Sequence, residues 1–258
     1  MRLSDTSNLF PSVAISPREG REFAGRIDEY LVVGRLALDA VLFASEVCDK
    51  PHFPRILDLA GSGGQVLRWL AAKFPYAKLT SCDFDREQTE FCHAAFGATG
   101  VYAPPDLRRL TFAEPFDLVW CGTLFARLPV ERWPAVLDCI ERWTADYGIV
   151  VFGLNGRYLA SEIARERRPL PADADRAALL KQFDETGTAF VAEPAARVHG
   201  HGLSLASPEV LGRLVQEHPS LILRGYLEQG WDFRDLAILY KSPAYFEPLT
   251  LPPLLRTV

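Results

Sequence analysis

The chain has 258 residues, enough for one large α/β domain or two small ones. Its residues are 48% apolar and 24% charged, the balance of an ordinary soluble globular protein. A net charge of −5 argues against a chain built mainly to hold nucleic acid, and no run approaches the length that spans a bilayer, since even Leu36 to Ala44 is broken by Asp39.

The five cysteines (Cys48, Cys82, Cys92, Cys121, Cys139) never form a Cys-x-x-Cys pair. They read as buried thiols in a reducing compartment, with neither a disulfide framework nor a metal site. Met1-Arg2-Leu3-Ser4-Asp5 has no apolar signal core, so a cytoplasmic protein is the expectation.

Residues 1 to about 24 are polar and proline-interrupted and read as an extended arm. From Ile27 to Val47 the apolar residues recur at helical spacing. Ile56-Leu57-Asp58-Leu59 is a short buried strand, followed by Gly61, Ser62, Gly63 and Gly64 in a turn that lets a ligand approach the backbone. Val66, Leu67, Leu70, Ala71 and Phe74 open a helix where the glycines end. A second strand, Ala77 to Cys82, ends on Asp83. Strand, glycine turn, helix, strand and carboxylate form half of a nucleotide-binding fold. A dinucleotide fingerprint needs a third glycine three residues after Gly63, where Val66 stands, so the pyrophosphate reading is weakened.

Asp85 is a plausible N-cap with Gln88 at the matching capping-box position, and the helix it starts ends near Gly97. A weak third strand, Gly100 to Ala103, is stopped by Pro104 and Pro105. Phe116 to Gly122 is a fourth strand, Pro134 to Trp143 a helix, and Gly148 to Gly153 a buried fifth strand. The next fifty or so residues are the least regular part of the chain and have the length of a lid or binding loop. Ser207-Pro208 starts another helix. Leu221 to Gln229 and Asp235 to Tyr240 are separated by so few residues that they must pair antiparallel.

The cassette Asp58-Leu59-Ala60-Gly61-Ser62-Gly63-Gly64, with Asp83 ending the second strand, resembles motif I of the class I S-adenosylmethionine-dependent methyltransferases. The similarity runs from about Ile27 to Ser242. It includes Phe116-Asp117 with Trp120-Cys121-Gly122, then Gly202 to Pro208, then Gly230-Trp231-Asp232, features of bacterial methyltransferase-domain proteins often associated with glycan biosynthesis. The histidine and glutamine that usually follow are replaced here by Phe233 and Arg234, so no role of theirs is carried over. The resemblance implies a doubly wound, Rossmann-like α/β sheet of seven strands, mostly parallel with an antiparallel C-terminal strand. It implies one domain over residues 1–258, with an N-terminal arm at 1–24 and an inserted lid or acceptor segment at about 155–206. S-adenosyl-L-methionine would be the cofactor, contacted by Asp58, Ala60, Gly61, Ser62, Gly63, Asp83, Phe84, Trp120, Cys121 and Gly122, with Tyr30 and Arg26 as candidates near the start of the first long helix. Asp83 would accept both ribose hydroxyls, since an ionised carboxylate only accepts. An acid that meets the adenine in many relatives has no clear counterpart, because prolines occupy its region and Asp106 comes late.

The implied function is O-methylation of a small molecule or saccharide, with neither nucleic acid nor membrane as partner and the oligomeric state open. A methyltransferase-like scaffold without catalysis and a nicotinamide-dependent oxidoreductase are the alternatives. A hydroxyl acceptor must lose a proton, and histidine suits that at neutral pH. His199 and His201, beside Gly200 and Gly202 in the inserted segment, are the candidates; a solvated turn is the bland alternative.

Overall fold

The computed structural model describes residues 9, 11–171, 174–194 and 200–243. Within the arm, α1 (Pro17–Glu22) is a helix rather than extended chain. Ser16 caps it by accepting from the Glu19 amide at 3.2 Å, with Pro17 preset for the first turn. α2 (Ile27–Val47) follows and buries Tyr30, Gly34, Ala37, Leu38, Val41 and Ala44. The nucleotide-binding half then runs β1 (Arg55–Leu59), α3 (Leu67–Lys73), β2 (Lys78–Asp83), α4 (Arg86–Phe96) and β3 (Thr99–Tyr102). β4 (Phe116–Cys121), α5 (Leu124–Arg127), α6 (Trp133–Trp143) and β5 (Thr144–Leu154) complete the central sheet. The inserted segment is more regular than its sequence suggests, with α7 (Arg157–Ala164), α8 (Arg176–Thr186), β6 (Thr188–Ala192) and β7 (Gly202–Ala206). α9 (Pro208–Gln216), β8 (Leu221–Trp231) and β9 (Arg234–Lys241) end the described chain.

The main sheet has seven strands in the order β3-β2-β1-β4-β5-β9-β8. β1 to β5 pair parallel, while β9 runs antiparallel to both β5 and β8. Strand alternation sorts the core into two layers. Ile56, Leu118, Trp120, Ile149, Val151 and Ile238 face α2 and α3, whereas Leu57, Val119, Cys121, Val150, Phe152 and Leu239 face α6 and α9. β6 and β7 form a separate antiparallel pair, and a third cluster joins Leu159, Ile163, Leu179, Phe183 and Leu205 to Phe233 from the β8–β9 turn. No helix among the described residues is long and apolar enough to cross a membrane.

The topology positions the site. The strand order reverses between β1 and β4, and ligands of such sheets sit beyond the carboxyl ends there. Because β9 is antiparallel, its first residues also lie at that edge, with Asp235 opposite Leu154.

Candidate active site

Asp58 lies near the end of β1, fully buried, and neither carboxylate oxygen has a hydrogen-bond partner. The chain beyond it turns through Ala60 (φ 56°), Ser62 (φ 53°) and Gly64 (φ 82°), all left-handed; Gly61 and Gly63 are not. The positions that need glycine-like backbone freedom are therefore one residue out of step with Gly61 and Gly63, and two of them carry side chains, at a conformational cost. Gly61 and Gly63 are required for a different reason. A Cβ on Gly61 would lie 2.2 Å from Asp58 Oδ2, and one on Gly63 would lie 2.2 Å from Glu19 Oε2.

Three consecutive residues of the turn thus each meet a different carboxylate. Gly61 covers Asp58. The Ser62 amide donates to Asp83 Oδ2 at 3.0 Å, and the Gly63 amide donates to Glu19 Oε1 at 3.0 Å. Asp83 Oδ1 also accepts from the Asp85 amide at 2.8 Å, which still leaves lone pairs on both oxygens for two hydroxyls. Burial pushes Asp58 up to about 8, reinforced by the charges of Asp83 and Glu19. Burial likewise raises Glu19 and Asp83, although hydrogen bonds and the cations Arg68 and Arg18 pull the other way. A buried carboxyl raised by burial and by two neighbouring acids favours a cationic ligand.

Tyr30 is buried and donates from its hydroxyl to Glu19 Oε2 at 2.6 Å. Arg68, 1% exposed, donates to the Tyr30 hydroxyl, to the Gly64 carbonyl and to the carbonyls of Ser12 and Ala14, so it ties the arm to the turn. Arg26 is instead at the surface beside Glu29. Asp85 caps α4 as expected, but Gln88 does not close a capping box; its Oε1 accepts from the Ser16 hydroxyl and holds the arm down. Glu19 and Arg68 were missed by sequence reasoning. Ser16-Pro17-Arg18-Glu19 has the same cap-and-proline signal as Ser207-Pro208, so the helix carrying Glu19 was detectable, while the reach of its carboxylate was not.

At the end of β4, Trp120 is 1% exposed and meets Trp231 edge-on, ring centroids 5.1 Å apart. Its ring is part of the core. Cys121 is buried, and a Cβ on Gly122 would lie 2.7 Å from the Trp231 ring. Asn155, just past β5, donates to the carbonyls of Ala126 and Ser204, stapling β5 to α5 and β7. His201 is buried and packs edge-on against Phe84, centroids 5.7 Å apart, so the inserted segment reaches the residue that follows the ribose candidate Asp83. Burial, then Arg127 and Arg132, lower its imidazole to about 4. His199 lies outside the described residues. Asp106 is paired with Arg108 on the surface.

S-adenosylmethionine fits this edge. It carries an ammonium and a sulfonium for the acids and two ribose hydroxyls for Asp83, and Gly61 and Gly63 let the Asp58 and Glu19 carboxylates lie against the turn. Residues 56–148 match the family model described as a methyltransferase domain. The matched stretch runs from β1 into the start of β5 and holds the glycine turn, Asp58 and Asp83. The chain is 29% identical over 127 residues to a trans-aconitate 2-methyltransferase of Streptomyces avermitilis, covering 45% of this chain and 46% of that enzyme. It therefore spans about half the length of that relative in the match. Its fold is similar to that of an S-adenosylmethionine-dependent methyltransferase from Clostridium acetobutylicum (TM-score 0.58, 12% identity, 87% of this chain and 98% of the other). It is similar also to CalS10, an amino pentose methyltransferase from Micromonospora echinaspora (TM-score 0.52, 16% identity, 84% and 97%).

Proposed function

We propose that this protein is a methyltransferase that moves the methyl group of S-adenosylmethionine to an oxygen of a small molecule. The observation that carries the cofactor side is the convergence of Glu19, Asp58 and Asp83 on the turn at residues 61–63, with both Asp58 oxygens unpartnered. When bound, the cofactor supplies an activated methyl on a cationic sulfur. Asp83 holds the ribose hydroxyls, Glu19 and Asp58 face the ammonium, and the glycines of the turn let those two carboxylates approach its backbone. Gly122 and Asn155 border the acceptor side, beyond the ends of β4 and β5. Much of the rate comes from holding the acceptor in line with the methyl group. The segment at about 155–206 is the proposed lid within a single domain, and His201 and Phe84 mark where it meets the cofactor edge.

Calorimetric titration with S-adenosylmethionine and with NAD tests the cofactor side. Asp83→Ala removes an ionised acceptor, and charge-assisted hydrogen bonds of roughly 1.5–3 kcal/mol imply at least a tenfold loss of affinity. Unchanged affinity in the variant, or tight NAD binding by the parent, overturns the reading.

A further inference from the structure

The β8–β9 turn brings Trp231, Phe233 and Arg234 to the edge where β4 and β5 end. A Cβ on Gly153 would lie 2.3 Å from the Gly122 carbonyl oxygen and 3.4 Å from Arg234 Cδ, so the stem of Arg234 crosses the junction of those two strands. Its guanidinium lies over Trp231 at 5.2 Å and over Phe233 at 4.6 Å. Arg168, from the inserted segment, lies over the same Phe233 ring at 4.0 Å. Two guanidinium groups thus share one aromatic ring at the acceptor side. Arg127 and Arg132 stand nearby, close enough to act on His201, and Arg127 also acts on Arg234.

Among the described residues, the acids paired with these arginines are fewer than the arginines, and Asp232 serves both Arg234 and Arg168. Among the described residues, Glu193 pairs with Arg127 at 2.7 Å, and Asp232 reaches Arg234 only at 3.5 Å. Arg234 Nε is buried with no hydrogen-bond partner. Burial lowers Arg234 to about 10, with Arg127 and Arg168 adding to the shift and Asp232 opposing it. Cations gathered with too few anions are the complement of an anionic ligand, and the planar guanidinium fork matches a carboxylate in particular.

Resting on the cofactor assignment above, we propose that the acceptor is a small carboxylic acid, held by Arg234 and Arg168 and methylated on a carboxylate oxygen. In the transfer, that oxygen forms a bond to the methyl carbon while the carbon–sulfur bond breaks. The bonding pair stays on sulfur, giving a methyl ester and a neutral thioether. No proton moves, because the acceptor is already ionised at neutral pH. An imidazole as weakly basic as that of His201 suits such an acceptor better than an alcohol that must be deprotonated. A neutral sugar would leave the arginines uncompensated.

The test uses the full chain with S-adenosylmethionine and five probes: trans-aconitate, tricarballylate, succinate, methyl glucoside and inorganic phosphate. Methyl ester formation is followed by mass spectrometry, and binding by calorimetry in the presence of S-adenosylhomocysteine. At least one carboxylate should bind and be esterified. Arg234→Gln should weaken it about tenfold or more and Arg168→Gln by a smaller factor, each with cofactor affinity within about twofold of the parent. The proposal is overturned if the cofactor binds but no carboxylate does, if phosphate alone binds, if methyl glucoside is the probe methylated, or if both variants handle the carboxylate like the parent. Loss of fold in Arg234→Gln leaves Arg168→Gln to decide. Failure of the parent to bind cofactor at all would instead overturn the function proposed above.

Discussion

Cofactor binding should expel a proton from Asp58. In the ligand-free protein burial, Asp83 and Glu19 push this carboxyl to about 8, so at pH 7 it is protonated about nine times in ten. A ligand ammonium beside it restores the charge, and observed affinity then follows the ionised fraction, roughly 1% at pH 6 and roughly 9% at pH 7. S-adenosylmethionine should bind about ninefold more tightly at pH 7 than at pH 6, a window in which the ligand's own α-ammonium stays charged. Titrations at pH 7 in buffers of different ionisation enthalpy should report release of close to one proton. Glu19 and Asp83 are raised too, so that proton belongs to the coupled set. The same shift has a sign in the folding equilibrium. A carboxyl raised on folding stabilises the native state fully below its unfolded value, and that contribution is lost as pH climbs through about 8. The ligand-free protein should therefore melt at a lower temperature at pH 8.5 than at pH 6, and Asp58→Asn should flatten that slope. Equal affinity at pH 6 and pH 7, with no dependence on buffer, would refute the reasoning.

Other substitutions probe separate parts of the site. Glu19→Gln keeps the shape but removes the charge on the turn, and should weaken S-adenosylmethionine about tenfold or more by calorimetry; unaltered affinity would show that Glu19 only anchors α1. Ser62→Gly relieves a left-handed side chain and should be neutral or stabilising by up to about 1 kcal/mol. Gly64→Ala, by contrast, would set a Cβ 2.4 Å from Phe96 and should lower the denaturation midpoint; the opposite order would disprove the strain assignment. Gly61→Val would drive its side chain into the Asp58 carboxylate, so binding should vanish; retained cofactor affinity in a folded variant would make Gly61 merely structural.

Much of the fold was legible because local rules reach far enough to set it. The long helix at Ile27–Val47, the strand at Phe116–Cys121 and the antiparallel pair at β8 and β9 follow from periodicity and from the shortness of one link. The acidic ends of β1 and β2 and the glycines between them pointed to the cofactor in the same way. Which residues of the turn take the left-handed conformation was not legible in this way. Backbone conformation there is decided by the strand-to-helix geometry, which puts Ala60 and Ser62, not Gly61 and Gly63, in the left-handed region. Trp120 could not be placed in core or site from one strand alone; Trp231, more than a hundred residues later, covers its ring.

By itself, then, the order of residues determined which segments fold as strand or helix and which nucleotide-type edge they build, since spacing of apolar residues, caps and turn chemistry act within a few residues. What surrounds that edge was settled only in three dimensions. Glu19 reaches the Gly63 amide across 44 positions, and Ser16 reaches Gln88 across 72. Arg168 and Arg234 meet on Phe233 because an inserted segment folds back over a hairpin. Charges act through space, so their partners become apparent only once the chain has brought them together.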